Sequence, residues 1–227
     1  MTIKDDYFVQ AATKDDYEMW LTKKHYAHRI PPITESFGLY DRRRKLRGVC
    51  TFGPPARMLN DGYGCFGGKI QVQTSELNRL VVDVSLPKNA LSYFVASCLK
   101  SLERPHCIVS YADSNSGHHG YIYQATNWHY TGMTAVAQIY KDTRTGKVVH
   151  ARTIVSEYGS READSLPEWI QRSKETSGKY RYFMFLGDKN QRKEMAACLE
   201  YPILPYPKGN NQRYDASYEP ITQDLLF

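Results

Sequence analysis

The chain has 227 residues, and its 30 Lys and Arg against 24 Asp and Glu leave a formal net charge of +6. Hydrophobic residues at 41% and charged residues at 24% are the proportions of a folded protein and exclude a disordered one; no apolar run approaches the roughly 18–20 residues of a membrane-spanning helix. Tyrosine is in excess, with 18 against 8 Phe and 3 Trp, so some phenols are expected to face a polar partner, and nucleic acid is the obvious polyanion for a basic, Tyr-rich surface.

The opening residues, MTIKDDYFVQ, carry no positive segment followed by an apolar stretch, so no secretory signal is expected. Tyr7 to Ala11 is a strand. Thr13 with Asp16 three residues on forms an N-cap of capping-box type, and Tyr17, Trp20 and Leu21 line one apolar face of the helix that follows. That helix is expected to stop ahead of Pro31-Pro32. Ser36–Tyr40 and Arg47–Phe52 flank the polar turn Asp41-Arg42-Arg43-Arg44-Lys45 as a hairpin. Gly62 to Gly68 is a Gly-rich loop, Glu76 to Asp83 a strand, and Leu91, Phe94, Val95, Cys98, Leu99 and Leu102 recur at helical spacing over Asn89–Glu103. Cys107–Tyr111 is a buried strand and Gly120–Trp128 a helix. Ala135–Tyr140 and Lys147–Ile154 make a second hairpin. The pattern weakens from Ser156 to Gly178, then Lys179–Leu186 is a strand and Lys189–Leu199 a helix.

The order is therefore β-α-β-β-β-α-β-α-β-β, an α/β (α+β) fold with a mixed central sheet and a C-terminal extension. Residues 1–155 are expected to form the catalytic domain, and 156–227 an extension packed on it and in contact with DNA. The five cysteines, Cys50, Cys65, Cys98, Cys107 and Cys198, are odd in number and lack CxxC spacing, which predicts free thiols in a reducing compartment.

Three segments carry candidate chemistry. Lys88-Asn89-Ala90 opens the long helix after a strand and a Pro break, where backbone donors and a lysine suit phosphate; ordinary strand–helix connections look the same. The run from Asp113 to Tyr123 places Asp113 just past a strand end, followed by a polar turn, His118, His119, Tyr121 and Tyr123; its small polar residues are also common turn formers. His25, Tyr26 and His28 end the first helix, where imidazole and phenol offer metal ligands or a proton relay, and where cations also complement a helix dipole. Basic residues cluster at Arg42, Arg43, Arg44, Lys45 and Arg47. They cluster again between residues 171 and 213, where nine Lys and Arg stand against four acids. Interleaved aromatics make both stretches candidate nucleic-acid contacts, and both also read as solvated faces.

The strand ELNRLVVD, its break and the amphipathic helix resemble the coenzyme A-binding core of the GNAT acyltransferase superfamily, and Tyr123 with Trp128 five residues on resembles that superfamily's closing motif. HYAHRIPP, FGLYD, GVCTFG, ELNRLVVD and SYADSNSGHHGYIYQATNW together resemble the Mom family of phage DNA-modification proteins. The resemblance implies a GNAT-like fold that converts the N6 amino group of adenine in double-stranded DNA to an acetamido (methylcarbamoyl) derivative. It implies acetyl-CoA as donor, iron as a second cofactor, protection of phage DNA from restriction, and a place in the cytoplasm of an infected or lysogenic host, with no membrane partner. Its site residues fall on His25, Tyr26, Asp113 and Tyr123, for catalysis and as metal ligands. Cofactor contacts are implied at Leu80, Val81, Val82, Lys88, Asn89, Ala90 and Ser92. DNA contacts are expected at Arg42, Arg43, Arg44, Lys45, Arg47, Arg79 and Tyr121. Tyr63, Phe66, Tyr121 and Trp128 are candidates to stack on an extruded base, and Tyr182 to lie near base or backbone. The superfamily's glycine-rich pyrophosphate loop is replaced here by Leu86-Pro87-Lys88-Asn89-Ala90. Both monomer and homodimer stay open. Two other readings are an acyltransferase acting on a protein or small amine, and a non-catalytic nucleic-acid-binding module.

Overall fold

The structure, a computed structural model, describes residues 3–25, 29–56, 59, 63–114, 117–136, 138–149, 151–174 and 177–208. These cluster into two compact units, one drawn from residues 1–111, 120–132 and 181–227, the other from 112–119 and 133–180. The chain thus does not divide at residue 155: a helix, Ala151–Tyr158, spans that point within the second unit.

A short helix α1 (Ile3–Asp6) leads into β1 (Tyr7–Ala11). Thr13 then caps α2 (Lys14–Met19): its hydroxyl accepts from the Asp16 N–H, while the Asp16 carboxylate accepts from the Thr13 N–H at 2.8 Å. The helix widens into a π-helical turn over Trp20–Lys24 and ends at an extended His25, well short of Pro31. Trp20 and Leu21 pack on Val49 and Val81. Next come β2 (Glu35–Asp41) and β3 (Leu46–Gly53), joined by a turn in which the Asp41 carboxylate accepts the N–H groups of Arg43 and Lys45 and Arg44 takes φ 61°. Within the expected glycine-rich loop, a four-residue helix α3 (Tyr63–Phe66) sets Cys65 and Phe66 in the core.

The long strand β4 (Gln73–Val82), helix α4 (Ala90–Ser101) and strand β5 (His106–Asp113) follow. Phe94, Val95, Cys98 and Leu99 form the buried stripe of α4; each large apolar side chain so buried contributes roughly 1.5–3 kcal/mol. After α5 (Tyr121–Ala125) and β6 (His129–Met133) come β7 (Gln138–Asp142), β8 (Val148–Val149), α6 (Ala151–Tyr158), β9 (Ile170–Lys174), β10 (Lys179–Leu186) and α7 (Lys189–Cys198).

The seven-stranded sheet has the order β1-β2-β3-β4-β5-β10-β6. Its first four strands are antiparallel neighbours and β4 pairs β5 in parallel, so the expected mixed sheet with a parallel centre is what forms. A separate three-stranded sheet, β8-β7-β9, packs Tyr140 and Ile170 against Ile154 of α6.

Three elements differ from the sequence reading. The expected helix to Trp128 stops at Ala125, because Asn127 adopts φ 62° and turns the chain into β6. The expected strand Lys147–Ile154 is strand only at Val148–Val149; Ala151, Ile154 and Tyr158 then repeat at helical spacing and pack as α6. Strand β9 lies in the unpatterned stretch because only Ile170 of its five residues is buried. All five thiols are free, four of them buried. No helix among the described residues is long and apolar enough to cross a membrane.

Candidate functional site

Two parallel strands that part create the first half of the site. β4 pairs β5 only from Gln73–Glu76 against His106–Val109, although β4 runs on to Val82 and β5 to Asp113. At the fork the Ser110 hydroxyl donates to the Leu77 carbonyl at 2.8 Å, a side-chain bond standing where a main-chain pair would be. The Ser110 oxygen also lies 2.7 Å from Tyr123 Oη. Tyr123 is only 7% exposed, its ring set against Trp128 at 5.0 Å and Tyr182 at 5.2 Å. Gln124 Nε2 donates to Tyr182 Oη at 3.1 Å, fixing that neighbour in turn. The Tyr123 phenol is thus buried and bonded to a serine at the strand fork.

The second half is a groove of about 910 Å3 at the start of α4. Lys88, Asn89 and Ser92 line it on one side, Lys4 and Asp6 of the N-terminal segment on another, and Thr126 and Asn127 beyond the end of α5. Asn89 takes φ 73° and its side chain does not cap the helix. Of the first-turn N–H groups of α4, that of Ala90 donates to the Pro87 carbonyl at 3.2 Å and those of Leu91 and Ser92 have no side-chain cap, an arrangement that suits an anion.

Of the residues expected to hold a cofactor, Lys88, Asn89 and Ser92 line this groove. Ala90 is fully buried beneath it, Leu80 is half-buried, and Val81 and Val82 are buried, Val81 against Trp20 and Val49. The side chains of Val81, Val82 and Ala90 thus serve the core. Sequence reasoning missed Ser110, Lys4 and Thr126. Ser110 carries no mark beyond being a polar residue inside an apolar strand, and Lys4 lies 84 positions from Lys88 in the chain. Asn127, two residues past the end of α5, was legible as a left-handed cap.

His25 is buried, at 6% exposure, just past the π-helical turn, where its N–H donates to the Trp20 carbonyl at 3.0 Å. Tyr26 and His28 lie outside the described residues, as do Asn115 and Ser116. Asp113 belongs to the second unit. There its carboxylate is 3.7 Å from Lys179 Nζ and its carbonyl accepts the His118 N–H at 3.0 Å. Burial pushes the His118 imidazole below its ordinary value, against the opposing pull of the Asp113 charge. Ser114 bonds Ser177 at 2.6 Å and the Gly178 carbonyl, and His119 stacks on Tyr180. His25 and Tyr123 are thus in the first unit and Asp113 in the second. Among the described residues no three His, Cys, Asp or Glu side chains converge. The described donors therefore do not make up an iron-binding set, and the expectation of iron at these positions is not supported.

The basic hairpin turn divides by partner. Arg42 Nε donates to the Asp5 carbonyl at 2.6 Å and pairs with Asp6 at 3.1 Å. Arg44 sits over the Phe8 ring at 5.9 Å. Arg47 is drawn inward between Asp83, at 3.5 Å, and Asp41, and bonds Ser85, so its guanidinium is structural. Arg79 Nη1 donates to the adjacent Asn78 carbonyl. Arg43 and Lys45 point to solvent with no ion pair among the described residues. Of the expected base-stacking residues, Tyr121 is 49% exposed, whereas Phe66 and Trp128 are buried, as is Tyr182; the Tyr63 side chain is outside the described residues.

The forked parallel pair, the crossover helix and the groove at its start define a mixed α/β protein with a groove where α/β sheets commonly bind ligands. The chain belongs to the Mom protein family, whose model matches residues 6–208. Membership supports a role in DNA modification. No curated protein matches the sequence. Similar solved structures include a GNAT-family N-acetyltransferase from Escherichia coli in complex with CoA, 14% identical over 54% of this chain and 68% of that one, with a TM-score of 0.40. A protein assigned as an acetyltransferase from Acinetobacter baylyi is 11% identical over 79% of this chain and 93% of that one, with a TM-score of 0.45. A histone acetyltransferase and related acetyltransferase from Corynebacterium glutamicum is 11% identical over 81% and 99%, with a TM-score of 0.42.

Proposed function

We propose that this chain is a transferase that modifies adenine in double-stranded phage DNA, converting the N6 amino group to an acetamido derivative with acetyl-CoA as donor. The modification would mask the DNA from restriction inside the bacterial host. The observation that carries the reading is Tyr123, buried and bonded to Ser110 at the fork of β4 and β5, in a chain whose family match spans residues 6–208.

Transfer from a thioester requires a seat for the carrier, an aligned amine, a proton acceptor and an acid for the departing thiolate. The groove beside Lys88 and Ser92 offers the seat, and the Tyr123 hydroxyl offers the acid. The acetamido product joins N6 through CH2 and ends in an amide, so two bonds are exchanged. At the carbonyl carbon an ammonia-level nitrogen donor displaces sulfur and sheds a proton, and the departing thiolate takes one up. At the methyl carbon an N6–C bond replaces a C–H bond, and a two-electron oxidant takes the two electrons released. Adenine N6 lies within the base stack, so reaching a buried phenol requires extrusion of the nucleotide; the half-exposed Tyr121 ring is available to stack on it.

Mass spectrometry of nucleosides from DNA co-expressed with the protein tests the reading. Wild type is expected to yield deoxyadenosine carrying a two-carbon amide. Tyr123→Phe keeps the ring packed and removes the proton, so the product should fall by about 100-fold or more while the melting temperature moves little. Unmodified DNA from cells making folded wild-type protein would remove the proposal, and an acetylated protein or small amine would replace it.

A further inference from the structure

The groove at the start of α4 has a wall that the strand–helix motif does not supply. Lys4 and Asp6 come from the first residues of the chain and line the groove together with Lys88, Asn89 and Ser92. This segment is tied down at three points. Arg42 Nε donates to the Asp5 carbonyl at 2.6 Å, the same guanidinium pairs with Asp6 at 3.1 Å, and Tyr93 Oη of α4 donates to the Tyr7 carbonyl at 3.2 Å. Lys4 is therefore presented by an anchored turn rather than a loose tail, and the entropy of ordering it is largely spent before a ligand arrives.

The charges in the groove are unequal. Its acid, Asp6, is matched by Arg42. Its two lysines, Lys4 and Lys88, are exposed and make no ion pair among the described residues. Of the remaining polar lining, Asn89 and Asn127 carry amide donors, while the Ser92 and Thr126 hydroxyls donate to the Asn89 and Ile122 carbonyls and offer only acceptor oxygens. A volume of about 910 Å3 falls within the range of small-molecule and cofactor sites. Two ammonium groups from different elements, a neutralised acid and two amide donors lining one groove fit a ligand bearing phosphates.

We infer that Lys4 and Lys88 clamp the phosphates of the donor between the N-terminal segment and α4, with Lys4 as a binding residue and Arg42 as the positioning residue that holds its segment. The inference rests on the donor reading above in taking the ligand to be coenzyme A. It also accounts for Arg42, one of the arginines expected at DNA, as the anchor of a segment that lines the groove.

Calorimetric titration of the full chain with coenzyme A, without DNA and at low salt, tests it. Lys4→Gln and Lys88→Gln are each expected to raise Kd about fivefold, the upper end for one exposed ion pair, and the difference should shrink in high salt. Lys100→Gln, at the far end of α4, should leave Kd unchanged. Arg42→Ala should weaken binding in the wild type and add little once Lys4 is already Gln. Pantetheine, which has no phosphate, provides the control for shape. A Lys4→Gln penalty as large for pantetheine as for coenzyme A would overturn the clamp, as would unchanged coenzyme A binding. If coenzyme A fails to bind wild type while inorganic pyrophosphate binds in a Lys4-dependent way, the donor reading falls and the clamp stands. If neither binds, both fall.

Discussion

Burial sets the protonation of three histidines. His106 is fully buried on β5 with Nε2 2.9 Å from Ser75 Oγ, and desolvation holds its pKa below the ordinary value, as it does for His118 and His129. A depressed histidine pKa means that below pH 6.5 the unfolded chain binds protons that the native state does not, so stability falls as pH drops through that point. Above it both states are neutral at these sites and the effect is absent. Urea midpoints are therefore expected to fall between pH 7.5 and 5.5, and His106→Asn should reduce the fall; a midpoint flat over that range would contradict the assignment. The tyrosines also separate at this scale. Tyr123, Tyr130 and Tyr182 form a buried aromatic stack with Trp128, while Tyr121 remains at the surface. The sequence marked Tyr123 through its family motif and put Tyr182 near nucleic acid, but its ring is fully buried against Tyr123.

At the scale of elements, α5 carries the proposed acid, Tyr123, and a single glycine aims it. Gly120 takes φ 78°, and a Cβ there would run into the Tyr182 ring. Gly120→Ala thus combines a strained backbone, worth about 1–3 kcal/mol, with a clash against the neighbour that packs Tyr123. The variant is expected to melt several degrees lower and to lose modification; a melt equal to wild type would show that the ring has room to move. Other elements were readable in full. Thr13 and Asp16 form the capping box that their spacing predicts, and Lys189–Leu199 becomes α7. Its cap, Asp188 with Gln191, follows the same rule. The errors lie where local signals compete. Two β-branched residues at Val148–Val149 carry a strand signal that runs into α6, and the solvated edge strand β9 has too few apolar residues to show alternation.

For the whole molecule, the +6 charge is less uniformly available than its size suggests. Arg47 is consumed by Asp83 and Asp41, Arg42 by Asp5 and Asp6, and Arg144 by Asp142 with its guanidinium over Trp169. Arg43 and Lys45, at the β2–β3 turn, stay exposed and make no ion pair among the described residues. Duplex binding measured by anisotropy should weaken steeply with salt. Replacing Arg43 and Lys45 together by Ala should lower the log–log slope by about 2, near 0.9 for each phosphate that is no longer neutralised. An unchanged slope would place the DNA-binding surface elsewhere.

The sequence by itself determined the mixed sheet, the β4–α4–β5 crossover, the hairpin turn and the family, because periodicity, capping and motif order are written in neighbouring residues. The buried position of Tyr123, the role of Ser110 and the entry of Lys4 into the groove were decided by the tertiary structure alone. Each depends on residues distant in the chain meeting at a fork or a rim, and no local pattern records such a meeting. The same holds for the basic surface: composition counts cations, and only the fold shows which of them already have a carboxylate for a neighbour.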